Sequence, residues 1–285
     1  MDVWALSAIA VGFLFYASAL LAMGLVVVGA FLGPFPAQVQ AATTRQIAVC
    51  AVLALVLTAL GFALRAAALT GDASGLTDPE MLMLLWQTPV GTELVLRVAG
   101  LALILIGLIT GRGLDLIGAA ILIAAFTQSG HVASADWSGL RVALGLHLAG
   151  IAFWIGVLPP LLRLAREDIY FEEAARVGHL FGQIAAVVVP LLLLAGLVMA
   201  WGLLGSLSAL TSTYGLVLIG KLVLVSVLLG LGAANKLRFV PAMHRGERQA
   251  ARHLARSVRL EMFVAAAVLL VTAILTGGPS LPEPV

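Results

Sequence analysis

The sequence predicts an all-α, polytopic integral membrane protein with eight transmembrane helices and both termini outside. Two observations set the class. Hydrophobic residues make up 62% of the 285 positions and charged residues 11%, with a mean hydropathy of +1.12. A soluble domain carries about 25% charged residues. A chain this poor in charge would not cover its own surface in water, whereas lipid tails accept apolar side chains on every outward face. In addition, several apolar runs reach the roughly 20 residues that cross about 30 Å of hydrocarbon at 1.5 Å per residue. A third observation, the placement of Lys and Arg, sets the orientation.

Helices are expected near 3–31, 46–70, 92–110, 114–128, 140–163, 177–204, 214–234 and 257–277. The first has Asp2 and no basic residue ahead of it. It also runs far beyond the roughly 7–15-residue core of a signal peptide, so it reads as a retained span. Gly33-Pro34-Phe35-Pro36 ends it, because proline cannot continue the hydrogen-bond ladder. The second and third are separated by an acidic loop with Asp72, Asp78 and Glu80, and the third and fourth by the tight turn Gly111-Arg112-Gly113. The fourth is short enough to stop below the surface. The last four are apolar runs parted by the basic stretches around Arg163–Arg176 and Lys236–Arg259. With no repeat, low-complexity tract or linker, residues 1–285 read as a single membrane domain.

With the N-terminus outside, twelve of the 16 basic residues fall in inward loops: Arg45, Arg112, Arg163, Arg166, Arg176 and the seven from Lys236 through Arg259. The other four, Arg65, Arg97, Arg141 and Lys221, lie within spans or at their outer ends. Cytoplasmic loops carry the excess of Lys and Arg, which selects this orientation. The net charge of only +2 reports few acids and no nucleic-acid surface, and the lone Cys50 excludes an intrachain disulfide.

Three groups of residues offer chemistry. Ser129-Gly130-His131 ends the fourth helix, in a segment that goes on to Asp136 and Trp137, and His147 lies about two turns into the fifth. A histidine in a spanning helix marks either a functional site or a hydrogen bond bridging two helices. Two imidazoles in the outer third of the bilayer suit Cu, Zn or haem iron. Met81 and Met83 in the external loop and Met199 on the sixth helix add thioethers, which favour Cu(I), although methionine is also ordinary core filler and 81–86 also reads as an interfacial helix. Toward the cytoplasmic side stand Met23, Cys50, His179 and Met262, a second set of soft or borderline ligands, or else packing residues. The third group is charged: Glu93 and Arg97 at i,i+4, Lys221, and Glu261 about one turn into the last helix. These read as interhelical ion pairs or, for Glu93, Arg97 and Lys221, as the lining of a polar cavity. His244 and His253 sit in the basic loop, facing water or headgroups.

These residues carry a family resemblance. Thr88-Pro89-Val90-Gly91 with Arg97, Ser129-Gly130-His131, His147 followed by Trp154-Ile155-Gly156, Tyr214-Gly215 with Lys221, Asn235 with Pro241, and Glu261 recur in order over positions 88 to 278. In these features the chain resembles the copper resistance protein D (CopD) family of bacterial inner-membrane proteins. The resemblance implies a multi-pass protein of the inner (cytoplasmic) membrane that takes up copper from the periplasm or confers copper tolerance. It also implies a small periplasmic copper-binding partner of the CopC type, which would be a separate protein because no such domain is fused here. His179 departs from the family pattern.

The expected function is therefore copper transport or handling, with Cu(I) as cargo. His131, helped by Met81 and Met83, collects the ion, His147 draws it below the surface, and the cytoplasmic group receives it. No ATPase signature is visible, and no enzymatic activity is expected. Two alternatives stay open: a haem-binding membrane redox protein, and a non-transporting factor that delivers copper to a membrane cuproenzyme.

Overall fold

The computed structural model describes residues 3–130, 137–204 and 207–277, and these are helices joined by short connections, with no strand among them. Ten α-helices follow in order among the described residues: α1 (Val3–Phe31), α2 (Ala37–Thr70), α3 (Pro79–Trp86), α4 (Pro89–Thr110), α5 (Arg112–Phe126), α6 (Gly139–Arg166), α7 (Phe171–Leu204), α8 (Thr213–Ala234), α9 (Val240–His244) and α10 (Arg248–Gly277). A π-helical segment, Asn235–Phe239, joins α8 to α9. Seven of these helices are long and apolar enough to cross a membrane: α1, α2, α4, α6, α7, α8 and α10. The protein is thus a polytopic all-α membrane protein. The eighth expected span is α5, whose 15 residues extend about 22 Å.

Several helices start earlier than their apolar runs. α2 begins at Ala37 rather than 46, α7 at Phe171 rather than 177, and α10 at Arg248 rather than 257. Hydropathy marks where a segment enters hydrocarbon, and a helix carries on past that boundary wherever its polar extension still packs. In α10 the extension buries Ala250, Ala251, Leu254 and Ala255 and leaves Arg252 and Arg256 exposed. Helix starts are also fixed locally. Thr88 accepts from the Val90 amide ahead of Pro89, and Asp78 accepts from Glu80 and Met81 ahead of Pro79. In the acidic loop Asp72 accepts from the Ser74 hydroxyl and amide, which hold its carboxyl below the usual carboxylate range.

α1 is the central helix and packs against α2, α5, α6 and α10. It crosses α6 tightly, where Gly24 meets Ala152 and Gly156 backbone to backbone. One buried apolar cluster joins α1, α2, α4, α5 and α6 around Phe15, Leu20, Leu101 and Leu122. A second gathers the far end of α1 with α6, α7, α9 and α10 around Leu32, Leu158, Leu164 and Leu254. α8 lies outermost: beyond Tyr214 and Gly215 none of its residues is buried inside the protein.

Both described ends of the chain share one end of the bundle. Tyr16 shares a hydrogen bond with Thr276, Ile9 touches Gly277, and Trp4 donates to the Gly71 carbonyl just past α2. Ser129, beyond α5, reaches Glu93 near the start of α4, so the α4–α5 hairpin returns the chain to the level at which α4 began. We call this the terminal end. The opposite, basic end holds the α1–α2, α4–α5 and α6–α7 connections and the segment from Asn235 to Arg248.

Candidate metal-handling site

Four polar constellations run from the terminal end to the basic end. At the terminal end Glu93 is 2% exposed. Arg65 Nη1 donates to its Oε2 at 2.8 Å, Ser129 Oγ donates to the same oxygen at 2.6 Å, and Arg97 pairs with Oε1 one turn along α4. The Arg97 guanidinium lies 4.0 Å over the Phe15 ring and 5.6 Å from that of Phe126. A carboxylate withdrawn from water needs its charge matched at close range, and here two guanidinium groups match it. The network also ties the Ser129-Gly130 turn to the bundle, with Gly130 at φ 85°, a left-handed conformation suited to glycine. His131 and Asp136 lie outside the described residues.

His147 stands eight residues into α6, about 12 Å along the helix. Its Nδ1 lies 3.0 Å from the Leu192 carbonyl oxygen of α7. A carbonyl only accepts, so Nδ1 carries the proton, and the neutral ring keeps its lone pair on Nε2. Fixing one ring nitrogen on a carbonyl is how proteins orient a metal-ligating histidine. The approach is close at Gly196, where a Cβ would meet His147 Cε1 at 3.2 Å and Nδ1 at 3.4 Å. Half-buried Met199 follows Gly196 by three residues and so shares this face of α7. Lys221 of α8 is within electrostatic range of the ring and forms no ion pair among the described residues.

Two turns farther along the same face of α6 is Trp154, whose Nε1 donates to Glu261 of α10 at 3.1 Å. Asn235, at the start of the π segment, donates its side-chain amide to the other oxygen. Glu261 is 1% exposed. At the basic end Gln183 lies 3.0 Å from His179 Nε2, and the exposed rings of His179 and His244 meet edge to face at 5.2 Å.

Residues 1–140 match the family described as copper resistance protein D-like, N-terminal domain, and residues 175–275 match copper resistance protein D. The chain is also 29% identical over 258 residues to the copper resistance protein D of Pseudomonas syringae pv. tomato, covering 82% of each chain. The chain belongs to the copper resistance protein D family. No solved structure matches it. A copper-related role follows from this membership, and the family is one of membrane proteins, not a known enzyme family. Glu93, Arg97 and Ser129 lie in the first matched segment, and Lys221, Asn235 and Glu261 in the second. His147 and Trp154 fall in the stretch between the two.

The structure distributes the expected ligands unevenly. Met81 and Met83 are on α3, where two residues apart means about 200° of rotation, so the pair faces two ways, with Met81 half-buried and Met83 exposed. Met23 is fully buried, and Cys50 is partly buried against the same apolar cluster. Met262 packs against the other cluster, and His179 is exposed beside His244. Among the described residues no three of His, Cys, Asp or Glu converge closely enough to hold a metal ion.

Glu261 lies 13 residues into α10 and not one turn, because the polar extension lengthens the helix. It makes no ion pair among the described residues, unlike the interhelical pairing expected of it. Helical spacing pairs Glu93 with Arg97 but gives no sign of Arg65 and Ser129, which are 28 and 36 residues away. Nor does it reveal the Trp154–Glu261 contact, which spans 107 residues.

Proposed function

We propose that this CopD-family protein carries copper across the bacterial inner membrane, entering at the terminal end as Cu(I) and leaving at the basic end. The observation that carries the reading is the His147 hydrogen bond to the Leu192 carbonyl, which leaves Nε2 free as a ligand within a spanning helix. Cu(I) accepts imidazole and thioether donors, and Met199 on the facing side of α7 supplies the second kind. His131, which follows the anchored Ser129-Gly130 turn in the sequence, is the collecting ligand of this reading, with the α3 methionines at the entrance. A CopC-like periplasmic protein is the donor that fits the family. Farther in, the polar face of α6 leads past Trp154 toward His179 and His244. Met23, Cys50 and Met262 flank this route as soft side chains within the apolar clusters.

Copper binding tests the site. Purified protein titrated with Cu(I) against a chromophoric chelator should bind at His147. His147→Ala combined with His131→Ala should abolish that occupancy, while the helical circular dichroism stays unchanged. Gly196→Val, which crowds the His147 ring without replacing a ligand, should weaken the affinity about 10- to 100-fold, as loss of an orienting contact does. Unaltered stoichiometry and affinity in the His131/His147 double variant would sink the proposal. A Soret band in the absorption spectrum would point to haem instead.

The same reading includes eight crossings, with the terminal end periplasmic and the twelve inward basic residues on the cytoplasmic side. A C-terminal alkaline phosphatase fusion should therefore be active and a C-terminal green fluorescent protein fusion dark. The reverse pattern would put the C-terminus inside and remove either α5 or another helix from the count.

A further inference from the structure

Two carboxyl groups are withdrawn from solvent within spanning helices, and their surroundings differ. Glu93, 2% exposed, is met by two arginines. Glu261, 1% exposed, is met by the neutral N–H groups of Trp154 and Asn235. None of the four ion pairs among the described residues includes it.

The charged and titratable groups around it are engaged or distant. On α10 itself Arg252, Arg256 and Arg259 are exposed. On α8, Lys221 precedes Asn235 by 14 residues, about 21 Å along the helix. In the π segment Arg238 is exposed, and the Lys236 stem runs against Gly182 of α7. Arg176 of α7 pairs with Glu173, and His179 with Gln183. On α6, Arg163 donates to Gln46, and His147 stands two turns from Trp154 on the Leu192 carbonyl. His244 of α9 is exposed, and the Tyr16 hydroxyl of α1 is occupied by Thr276.

Two further oxygens come from residues adjoining Glu261, one by hydrogen bond and one by a helical turn. Asn235 Oδ1 and Ser257 Oγ are buried and have no hydrogen-bond partner. Asn235 is already attached to Glu261 through its amide. Ser257, 8% exposed, precedes Glu261 by one helical turn and lies on the same face of α10. An uncompensated buried carboxylate costs several kcal/mol, and each orphaned polar atom adds to that cost. A positive charge bound among these oxygens removes both costs at once. All the donor atoms are oxygen, which suits a hard cation and not Cu(I), and a single carboxylate balances one charge. The π segment that starts at Asn235 is a further mark of a functional position.

We infer that Glu261, Asn235 and Ser257 form a binding site for a hard monovalent cation, a proton or a sodium ion, separate from the histidine site. The inference does not depend on copper, so its test is run without it. Copper-free protein in lipid nanodiscs is followed by infrared spectroscopy, first as pH is raised in sodium-free buffer and then as NaCl is added at fixed low pH. A buried protonated-carboxyl band should be present at low pH. Its loss on raising pH alone identifies a proton site, and its loss on adding sodium at constant pH identifies a sodium site. The band should vanish in Glu261→Gln. It should shift in frequency in Trp154→Phe, which removes one hydrogen-bond donor and assigns the band even where Glu261→Gln does not fold. A carboxyl spectrum indifferent to pH, sodium and the Trp154 substitution would overturn the site. Loss of copper binding in the histidine variants would leave this result untouched, so the two readings fail separately.

Discussion

Glu93→Gln should destabilise the protein by about 3–5 kcal/mol, the usual cost of removing one partner from a buried ion pair. The substitution keeps the shape of the side chain and deletes its charge. Arg97, with 14% of its side chain exposed, then has its guanidinium held between Phe15 and Phe126 with no other carboxylate paired to it among the described residues. Ser129 also loses its charged acceptor, which frees the turn leading to His131. Arg65→Ala removes the other cation and should cost about 1 kcal/mol or less, because that side chain is 43% exposed and makes part of its interaction with water. Unfolding midpoints in mild detergent measure both variants. Equal losses from the two would mean that Arg97 is not the partner that needs the carboxylate.

The second large effect is steric. A Cβ on Gly24 would run into the Ala152 carbonyl oxygen and lie 2.9 Å from Gly156 Cα. Both obstacles are backbone, so no side chain can move aside, and α1 must part from α6. Overpacking typically costs about 1–3 kcal/mol, and Gly24→Val should reach or exceed the upper end because α1 is the hub of the bundle. At Gly12, in the same helix, an added Cβ would meet nothing within 4 Å. Gly12→Ala should therefore be neutral or slightly stabilising, since alanine favours helix over glycine. Comparing the two variants separates a close helix crossing from a general intolerance of α1 to substitution. A Gly24→Val protein as stable as the Gly12→Ala protein would show that the crossing has room.

Residence in the membrane was legible in the sequence, because apolar runs of sufficient length can be satisfied only by a bilayer. So were the prolines and glycines that end α1 and part α4 from α5, the Glu93–Arg97 pair and the family. Such signals are local: each sits within one segment or in the order of segments. What only the tertiary structure decided was which polar groups meet. Leu192 offers a carbonyl to His147 across 45 residues, and Arg65 and Ser129 close on Glu93 from other parts of the chain. The soft residues of the expected inner group are divided between two apolar clusters and an exposed histidine pair. The physical reason lies in the solvent. In water a helix displays its buried face as an apolar stripe, and the stripe gives its rotation. In lipid the outward face is apolar as well, so hydropathy records depth and length while helix rotation is set by close packing between helices, as at Gly24 and Gly196.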